Sequence, residues 1–378
     1  MNYSEASLEL HKKYKGKLEV KSKIPVTNKE ELSVAYTPGV AAVSTEIGKD
    51  KSLAKTLTLK ANTVAIVSDG SAILGLGNLG PEAAIPVMEG KAILFKEFAN
   101  VDAFPICLDT QDTEEIIKAV KLIAPVFGGI NLEDISAPRC FEVEKRLKAE
   151  LDIPVMHDDQ HGTATVVLAA LINALKVSNK NEADVKIVIN GAGAAGIAIT
   201  KMLLEYGCKN IVICDSKGII SKNRSDLDGG KIELADITNA GGLDGGLPEA
   251  VAGSDIFIGV SKAGLLTEEL VATMKEKPII FAMANPIPEI MPDVAKKAGA
   301  YIIATGRSDF PNQINNVLAF PGIFRGALDN NVKQITTAML INAAKAIAAL
   351  VADPTPEKII PSPFEEGIAQ AVARAIRS

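Results

Sequence analysis

The segment that most restricts how this chain can fold is a run of small residues, Gly191-Ala192-Gly193-Ala194-Ala195-Gly196. It directly follows an apolar strand pattern, Val185 to Ile189, and opens a helical pattern that runs to Tyr206. A further strand pattern, Ile211 to Cys214, ends in Asp215, 19 residues after Gly196. This is the context of a dinucleotide-binding βαβ unit. Small residues let backbone approach a pyrophosphate at a helix N-terminus, and an acid about 20 residues on reaches the ribose hydroxyls. Close packing of helix on strand is the competing reading of the same glycines. Strand patterns at Ile256 to Val260, Ile279 to Ala282 and Tyr301 to Ala304 alternate with helical stretches, which predicts a doubly wound parallel sheet.

Upstream, the first sixty residues read as helical and charged, broken by Tyr36-Thr37-Pro38-Gly39. A second α/β region follows, with strands at Val64 to Val67 and Ala103 to Ile106 and a helix near Ala83 to Phe98. The fold class expected is therefore α/β. An N-terminal α/β substrate and metal domain, residues 1–160, precedes a Rossmann-type NAD(P)-binding domain, 161–378, whose last helix, Pro363 to Arg377, packs back on the first. A chain of 378 residues with 47% hydrophobic content supports cores of that size.

A net charge of -6 without a basic block argues against nucleic acid as a partner. The first twenty-five residues lack the apolar core of a signal peptide, so a cytoplasmic location is expected. The most apolar helical stretch, Thr336 to Ala352, is interrupted by Asn342 and Lys345. It falls short of the roughly 20 residues a bilayer needs, so no membrane is expected. Cys107, Cys140, Cys208 and Cys214 show no C-x-x-C spacing and read as reduced, buried thiols.

Four carboxylates follow two short apolar strand patterns: Glu133 and Asp134 after Asn131-Leu132, and Asp158 and Asp159 after Val155-Met156-His157. Acids on strand tips suit a hard divalent cation, since Mg²⁺ and Mn²⁺ take oxygen ligands. Neighbours in a regular strand point to opposite faces. Glu133 and Asp134 can therefore share an ion only from a loop, with Asp159 as third ligand. His157 and His161 have zinc-helix spacing, but Gly162 follows at once, so the pair is expected to serve as hydrogen-bonding groups rather than share a helix face. Lys91 lies among Met88, Ile93, Leu94 and Phe95, where desolvation would lower its pKa towards that of a usable base. Tyr36 is a second proton-transfer candidate, or an aromatic anchor for its turn. Asn285-Pro286 and Asn315-Asn316 follow apolar strands and are expected to face the ligand crevice. Gly75-Leu76-Gly77-Asn78-Leu79-Gly80 repeats the glycine pattern, but Ser68 to Ser71 separates it from its strand; it reads as a structural loop forming a site wall.

Taken in order, Tyr36-Thr-Pro-Gly-Val-Ala, Gly75-Leu-Gly-Asn-Leu-Gly-Pro, Glu89-Gly-Lys-Ala, Asn131-Leu-Glu-Asp-Ile, His157-Asp-Asp-Gln-His-Gly-Thr-Ala, Asn190-Gly-Ala-Gly-Ala-Ala-Gly and Ala284-Asn-Pro closely resemble the malic enzymes, in their short bacterial and archaeal branch. The resemblance implies oxidative decarboxylation of (S)-malate to pyruvate with reduction of NAD or NADP, assisted by Mn²⁺ or Mg²⁺, in a homodimer. It implies that Lys91 takes the C2 hydroxyl proton, that Tyr36 protonates C3 of the enolate, and that Glu133, Asp134 and Asp159 hold the ion. Asn285 and Asn316 would contact substrate or nicotinamide. The larger eukaryotic relatives carry an arginine for the substrate carboxylate after Asp69-Gly70-Ser71; this chain has Ala72. A malolactic enzyme releasing lactate and a catalytically silent nucleotide sensor are the alternatives. Asp215 favours NAD, while Lys217 and Lys222 follow closely enough to accommodate a 2′-phosphate.

Overall fold

The computed structural model describes residues 3–227 and 229–377. The chain opens with α1 (Tyr3–Tyr14), α2 (Lys29–Ala35), α3 (Val40–Lys49) and the single turn α4 (Ala54–Leu57), none of which buries a residue. Then β1 (Thr63–Ser68), α5 (Pro81–Ala99), β2 (Asp102–Cys107), α6 (Thr113–Ile123), β3 (Gly129–Leu132), α7 (Arg139–Glu150) and β4 (Val155–His157) build a parallel sheet in the order β2-β1-β3-β4. β1 is buried at every residue, as expected of a parallel strand covered on both faces.

The next helix, α8 (Asp158–Ser178), starts on the residue after β4 and leads to the second sheet. That sheet comprises β5 (Lys186–Asn190), α9 (Ala194–Tyr206), β6 (Asn210–Asp215), β7 (Gly218–Ile219), α10 (Gly229–Ile237), α11 (Leu247–Val251), β8 (Ile256–Gly259), α12 (Glu268–Ala272), β9 (Ile279–Ala282), α13 (Pro292–Lys297) and β10 (Ile302–Thr305). The strand order is β10-β9-β8-β5-β6-β7, with only β7 antiparallel. The order reverses between β5 and β8, the switch point where open α/β sheets form their ligand crevice. The chain closes with α14 (Phe320–Asp329), α15 (Thr337–Ala349) and α16 (Ile368–Ala375).

One apolar core runs through both sheets, taking in Val64, Ile66 and Phe95 from the first and Ile187, Ile189 and Phe320 from the rest of the chain. The Phe95 ring meets Phe320 edge-on at 4.7 Å and Phe324 at 5.5 Å. α16 packs on α14 and α15 and reaches α5. The helix within Thr336 to Ala352, α15, is shorter than α8. α8 is long and apolar enough to span a bilayer, but most of it is buried against α9 and α15, as in a core helix. Residue 160 falls in its first turn.

Candidate active site

In the first sheet all strands end on the same edge, which sets the tips of β1, β3 and β4 side by side. Asp69 follows β1, Glu133 and Asp134 follow β3, and Asp158 and Asp159 open α8. Lys91, on α5, reaches this edge: its Nζ lies 2.6 Å from Asp158 Oδ2 and 2.8 Å from Glu133 Oε1. The ammonium also sits 4.2 Å over the Phe320 ring. Asn316 Nδ2 donates to the same Asp158 oxygen at 2.6 Å. Gly162 is required here, because a Cβ would overlap the Asp158 carboxylate as it folds back over the first turn of α8.

The expectation that burial would lower the Lys91 pKa is overturned. Desolvation does pull in that direction, but the carboxylates of Asp158 and Glu133 outweigh it and hold the ammonium protonated, above its ordinary value. The acids respond in the opposite sense. Burial pushes Glu133 up to about 7, against the pull of Lys91 and with the help of Asp159. Asp134 rises to about 8 through burial and its neighbours Asp159 and Glu133. Burial takes Asp158 to about 7 against Lys91, and raises Asp159 as well. Three buried carboxylates and the half-buried Asp159 thus face one ammonium.

That excess of negative charge, all on oxygen donors, fits a hard divalent cation. Asp134 leaves β3 with φ 52°, in the loop that a shared ion requires, and its buried Oδ2 has no hydrogen-bond partner. Glu133, Asp134 and Asp159 would hold the ion. Their oxygens are otherwise engaged as they stand: Glu133 bonds Lys91 and the Asn131 amide, and Asp159 Oδ2 accepts the Asp134 backbone N–H at 2.9 Å. Among the described residues no three His, Cys, Asp or Glu side chains already enclose a common point.

The helix is not delayed by Gly162: α8 begins at Asp158, so His161 is helical while His157 is the last residue of β4. The two histidines do not converge. His161 Nε2 lies 2.9 Å from Glu144 Oε2, whereas His157 is wholly buried with neither ring nitrogen bonded, its Nε2 3.8 Å from Asp159 Oδ2. Burial drops the His157 pKa to about 4 and keeps it neutral. Glu144, which also accepts the His157 backbone N–H at 3.0 Å and pairs with Lys148 at 2.8 Å, ties α7 to the start of α8.

The Gly75 to Gly80 segment approaches the loop after β9 at one point. A Cβ on Gly75 would come 3.2 Å from the Asn285 carbonyl oxygen. At its base Arg139 Nη2 bonds Asp69 Oδ2 at 2.7 Å and Ser71 Oγ at 2.9 Å, next to Ala72. Tyr36 stands apart. It caps α2, its side chain is 67% exposed, and its hydroxyl bonds nothing among the described residues. Asn315 is used locally, its Oδ1 accepting the Val317 N–H at 2.9 Å.

On the nucleotide side, Gly191 has φ 128°, and a Cβ there would sit 2.7 Å from the Val260 carbonyl oxygen. A Cβ on Gly196 would overlap Gly191, while Gly193, ahead of α9, faces open space. Ala192, Ala194 and Ala195 complete the turn into that helix. Asp215 ends β6 and is clasped by Arg224 at 2.8 and 3.2 Å and by Lys231 at 2.8 Å. Burial opposes its ionisation, but these cations carry its pKa down to about 2. Of the expected lysines, Lys217 donates its backbone N–H to Asp215 at 2.9 Å and pairs its side chain with Asp226, and Lys222 pairs with Asp236.

Glu144, Arg139 and Glu289 are residues that the sequence did not single out, and Asp158 was noted among the strand-tip acids without a role. Glu289 is fully buried; its two oxygens accept the backbone N–H of Ser261 and of Ala284, each at 3.0 Å, fixing the loops after β8 and β9. The doubled acid at 158–159, on a turn where successive side chains diverge, was the available signal for Asp158.

Comparison with known proteins agrees with this arrangement. Residues 15–148 match the N-terminal domain of malic enzyme and residues 160–376 its NAD binding domain. A Bacillus subtilis protein named bifunctional malic/malolactic enzyme is 56% identical over all of this chain and 92% of its own. An NAD-dependent malic enzyme of Geobacillus stearothermophilus is 57% identical over all of this chain and 78% of its own. The crystal structure of the Thermotoga maritima NAD-dependent malic enzyme superposes with a TM-score of 0.95 at 51% identity, covering 98% of each chain. With both halves matched and whole-length relatives sharing half their residues, the chain belongs to the malic enzyme family.

Proposed function

We propose that the protein converts (S)-malate to pyruvate and carbon dioxide, passing a hydride to NAD or NADP. The observation that carries this reading is the contact of Lys91 with Glu133 and Asp158 at the sheet edge, beside Asn316. Residues 1–160 supply the acids and Lys91, and residues 161–378 the dinucleotide cradle.

The C2 hydroxyl proton goes to Lys91 as hydride leaves C2. For Lys91 to act as a base it must shed its own proton, and Asp158, with a pKa of about 7, is placed to receive it. A Glu133 carboxylate committed to a cation no longer supports the ammonium, which makes that transfer easier. When bound by Glu133, Asp134 and Asp159, Mn²⁺ or Mg²⁺ would polarise the C2 oxygen and stabilise the enolate left when the C3–carboxylate bond breaks. Tyr36 then gives C3 its proton. Asn285 and Asn316 orient substrate and nicotinamide. The protein works as a cytoplasmic homodimer with NAD preferred.

The Bacillus subtilis relative's name favours a second reading, net conversion of malate to lactate with the nicotinamide recycled. A steady-state assay with malate and Mn²⁺ separates the two. Reduced nicotinamide and pyruvate in equal amounts support the first; lactate without reduced nicotinamide supports the second; neither product from metal-loaded protein refutes both.

A further inference from the structure

We propose that His157 is a positioning residue for the cation site: its Nε2–H is the donor that holds Asp159 Oδ2, which leaves Asp159 Oδ1 to face the ion. The role assumes the cation site proposed above, with Glu133, Asp134 and Asp159 as its ligands.

His157 stands directly ahead of two acids, and the sheet decides which way its ring points. In the parallel ladder His157 pairs with Leu132 and Met156 with Asn131. Side chains alternate along a strand, so His157 and Met156 face opposite sides of the sheet. Met156 enters the core shared with the second sheet, whereas Leu132 lies with Cys140, Val143 and Leu147 of α7. The His157 ring takes the α7 side, and none of it is exposed.

An imidazole carries at least one N–H whether neutral or charged. In this core that N–H needs an acceptor from the protein, because buried polar groups are hydrogen-bonded. Neither ring nitrogen has one. Glu144 is already committed, Oε1 to the His157 backbone N–H and to Lys148, and Oε2 to His161. That leaves Asp159 Oδ2, 3.8 Å from Nε2. A normal N–H···O contact is about 2.9 Å, so a shift of roughly 1 Å makes the bond. Asp159 has the room to supply it: its side chain is 33% exposed, while the ring is enclosed.

The same Oδ2 already accepts the Asp134 backbone N–H at 2.9 Å. A second donor on that oxygen fixes the plane of the carboxylate. Oδ1, which takes no hydrogen bond among the described residues, is then the oxygen left for the cation. Outer partners of this kind orient the ligands they touch, and losing one weakens metal binding by about 10- to 100-fold.

The test is cation binding by the whole protein, read without turnover. Mn²⁺ is titrated into chelator-stripped protein and the free ion is followed by its EPR signal. A glutamine amide nitrogen reaches the place of the histidine Nε2, whereas an asparagine amide reaches only that of Nδ1. His157→Gln should therefore bind Mn²⁺ nearly as well as the wild type, while His157→Asn and His157→Leu lose about 10- to 100-fold. Unchanged NAD affinity in all three shows that they are folded. Wild-type affinity in His157→Leu, or equal losses in His157→Gln and His157→Asn, overturns the proposal. Asp159→Asn separates the two readings: unchanged Mn²⁺ affinity there means that the cation lies elsewhere, while a loss there with none in His157→Leu removes only the role of His157. A measurement on the unmutated protein decides the matter even if a variant does not fold. The chain has only three histidines, so long-range ¹H–¹⁵N spectra of protein labelled in histidine with ¹⁵N read the His157 tautomer directly. With Mg²⁺ present the proton should lie on Nε2; a proton on Nδ1 alone overturns the proposal.

Discussion

Asp158 Oδ2 sits 2.6 Å from Lys91 Nζ, and the same oxygen accepts the Asn316 amide. One buried carboxylate thus joins α5, the start of α8 and the turn before α14, around the ammonium proposed to take the substrate proton.

Replacing Lys91 by alanine should lower the rate of malate oxidation by on the order of 10² to 10⁴, the usual contribution of a positioned base. Single-turnover formation of reduced nicotinamide is the measurement, with small primary amines added to the buffer as partial rescue. Near-native oxidation in the variant would show that another group takes the proton.

Tyr36→Phe should act on a later step. The ring is kept and the donor lost, so the nicotinamide still becomes reduced in one turnover while pyruvate appears slowly. Rapid-quench comparison of the two products checks this; a block of hydride transfer itself, with unchanged affinity, would contradict the assigned role.

Metal-free protein should lose stability as pH rises from about 5 to 8. Glu133, Asp134 and Asp158 have folded values near 7, 8 and 7, above the roughly 4 of an unfolded carboxylate, so the native state holds more protons in this window. Their favourable contribution is complete below the unfolded value and fades through the folded ones. Asp215, held near 2, finishes its titration below the window. Thermal unfolding with a chelator should show Tm falling with pH, and Mn²⁺ at pH 8 should restore it. A Tm that rises across this range would mean the acids are compensated by something other than protons.

Cofactor choice should respond to Arg224 and Lys231. Each neutralises Asp215 and each could meet a 2′-phosphate, so Arg224→Ala should reduce kcat/KM for NADP about tenfold more than for NAD, ~1.4 kcal/mol of discrimination. Equal losses with both cofactors would make Arg224 a purely structural partner of Asp215.

Gly259→Ala should destabilise the protein by about 1–3 kcal/mol, because the new methyl group would overlap the buried Glu289 carboxylate. Denaturant titration measures it. Since Glu289 holds the amides of Ser261 and Ala284, the KM for dinucleotide should rise in the same variant.

The nucleotide half was readable because its signals are local. A strand, a glycine turn and an acid at fixed spacing specify a βαβ unit, and β5, α9 and β6 lie within a residue or two of their expected bounds. The direction of the Lys91 shift was not readable. Apolar neighbours in sequence say that a lysine is buried, but its pKa is decided by Asp158 and Glu133, which the fold brings in from 67 and 42 residues away. Arg139 on Asp69, Glu144 behind the histidines and Glu289 under two loops escaped for the same reason. Each is an ordinary charged residue whose meaning lies in a long-range partner. Asn315 and Asn316 show the converse: adjacent and identical, one closes a turn and the other reaches Asp158.

The continuity of α8 bears on how such a protein can be rebuilt. The helix carries Asp158 and Asp159 at one end and is embedded along its length against α9 and α15, so a crossover placed at residue 160 would sever the acids from the scaffold that aims them. Exchange of the nucleotide-binding half between relatives has to carry α8 whole, joining upstream of Val155, if the transplanted crevice is to meet the carboxylates in register.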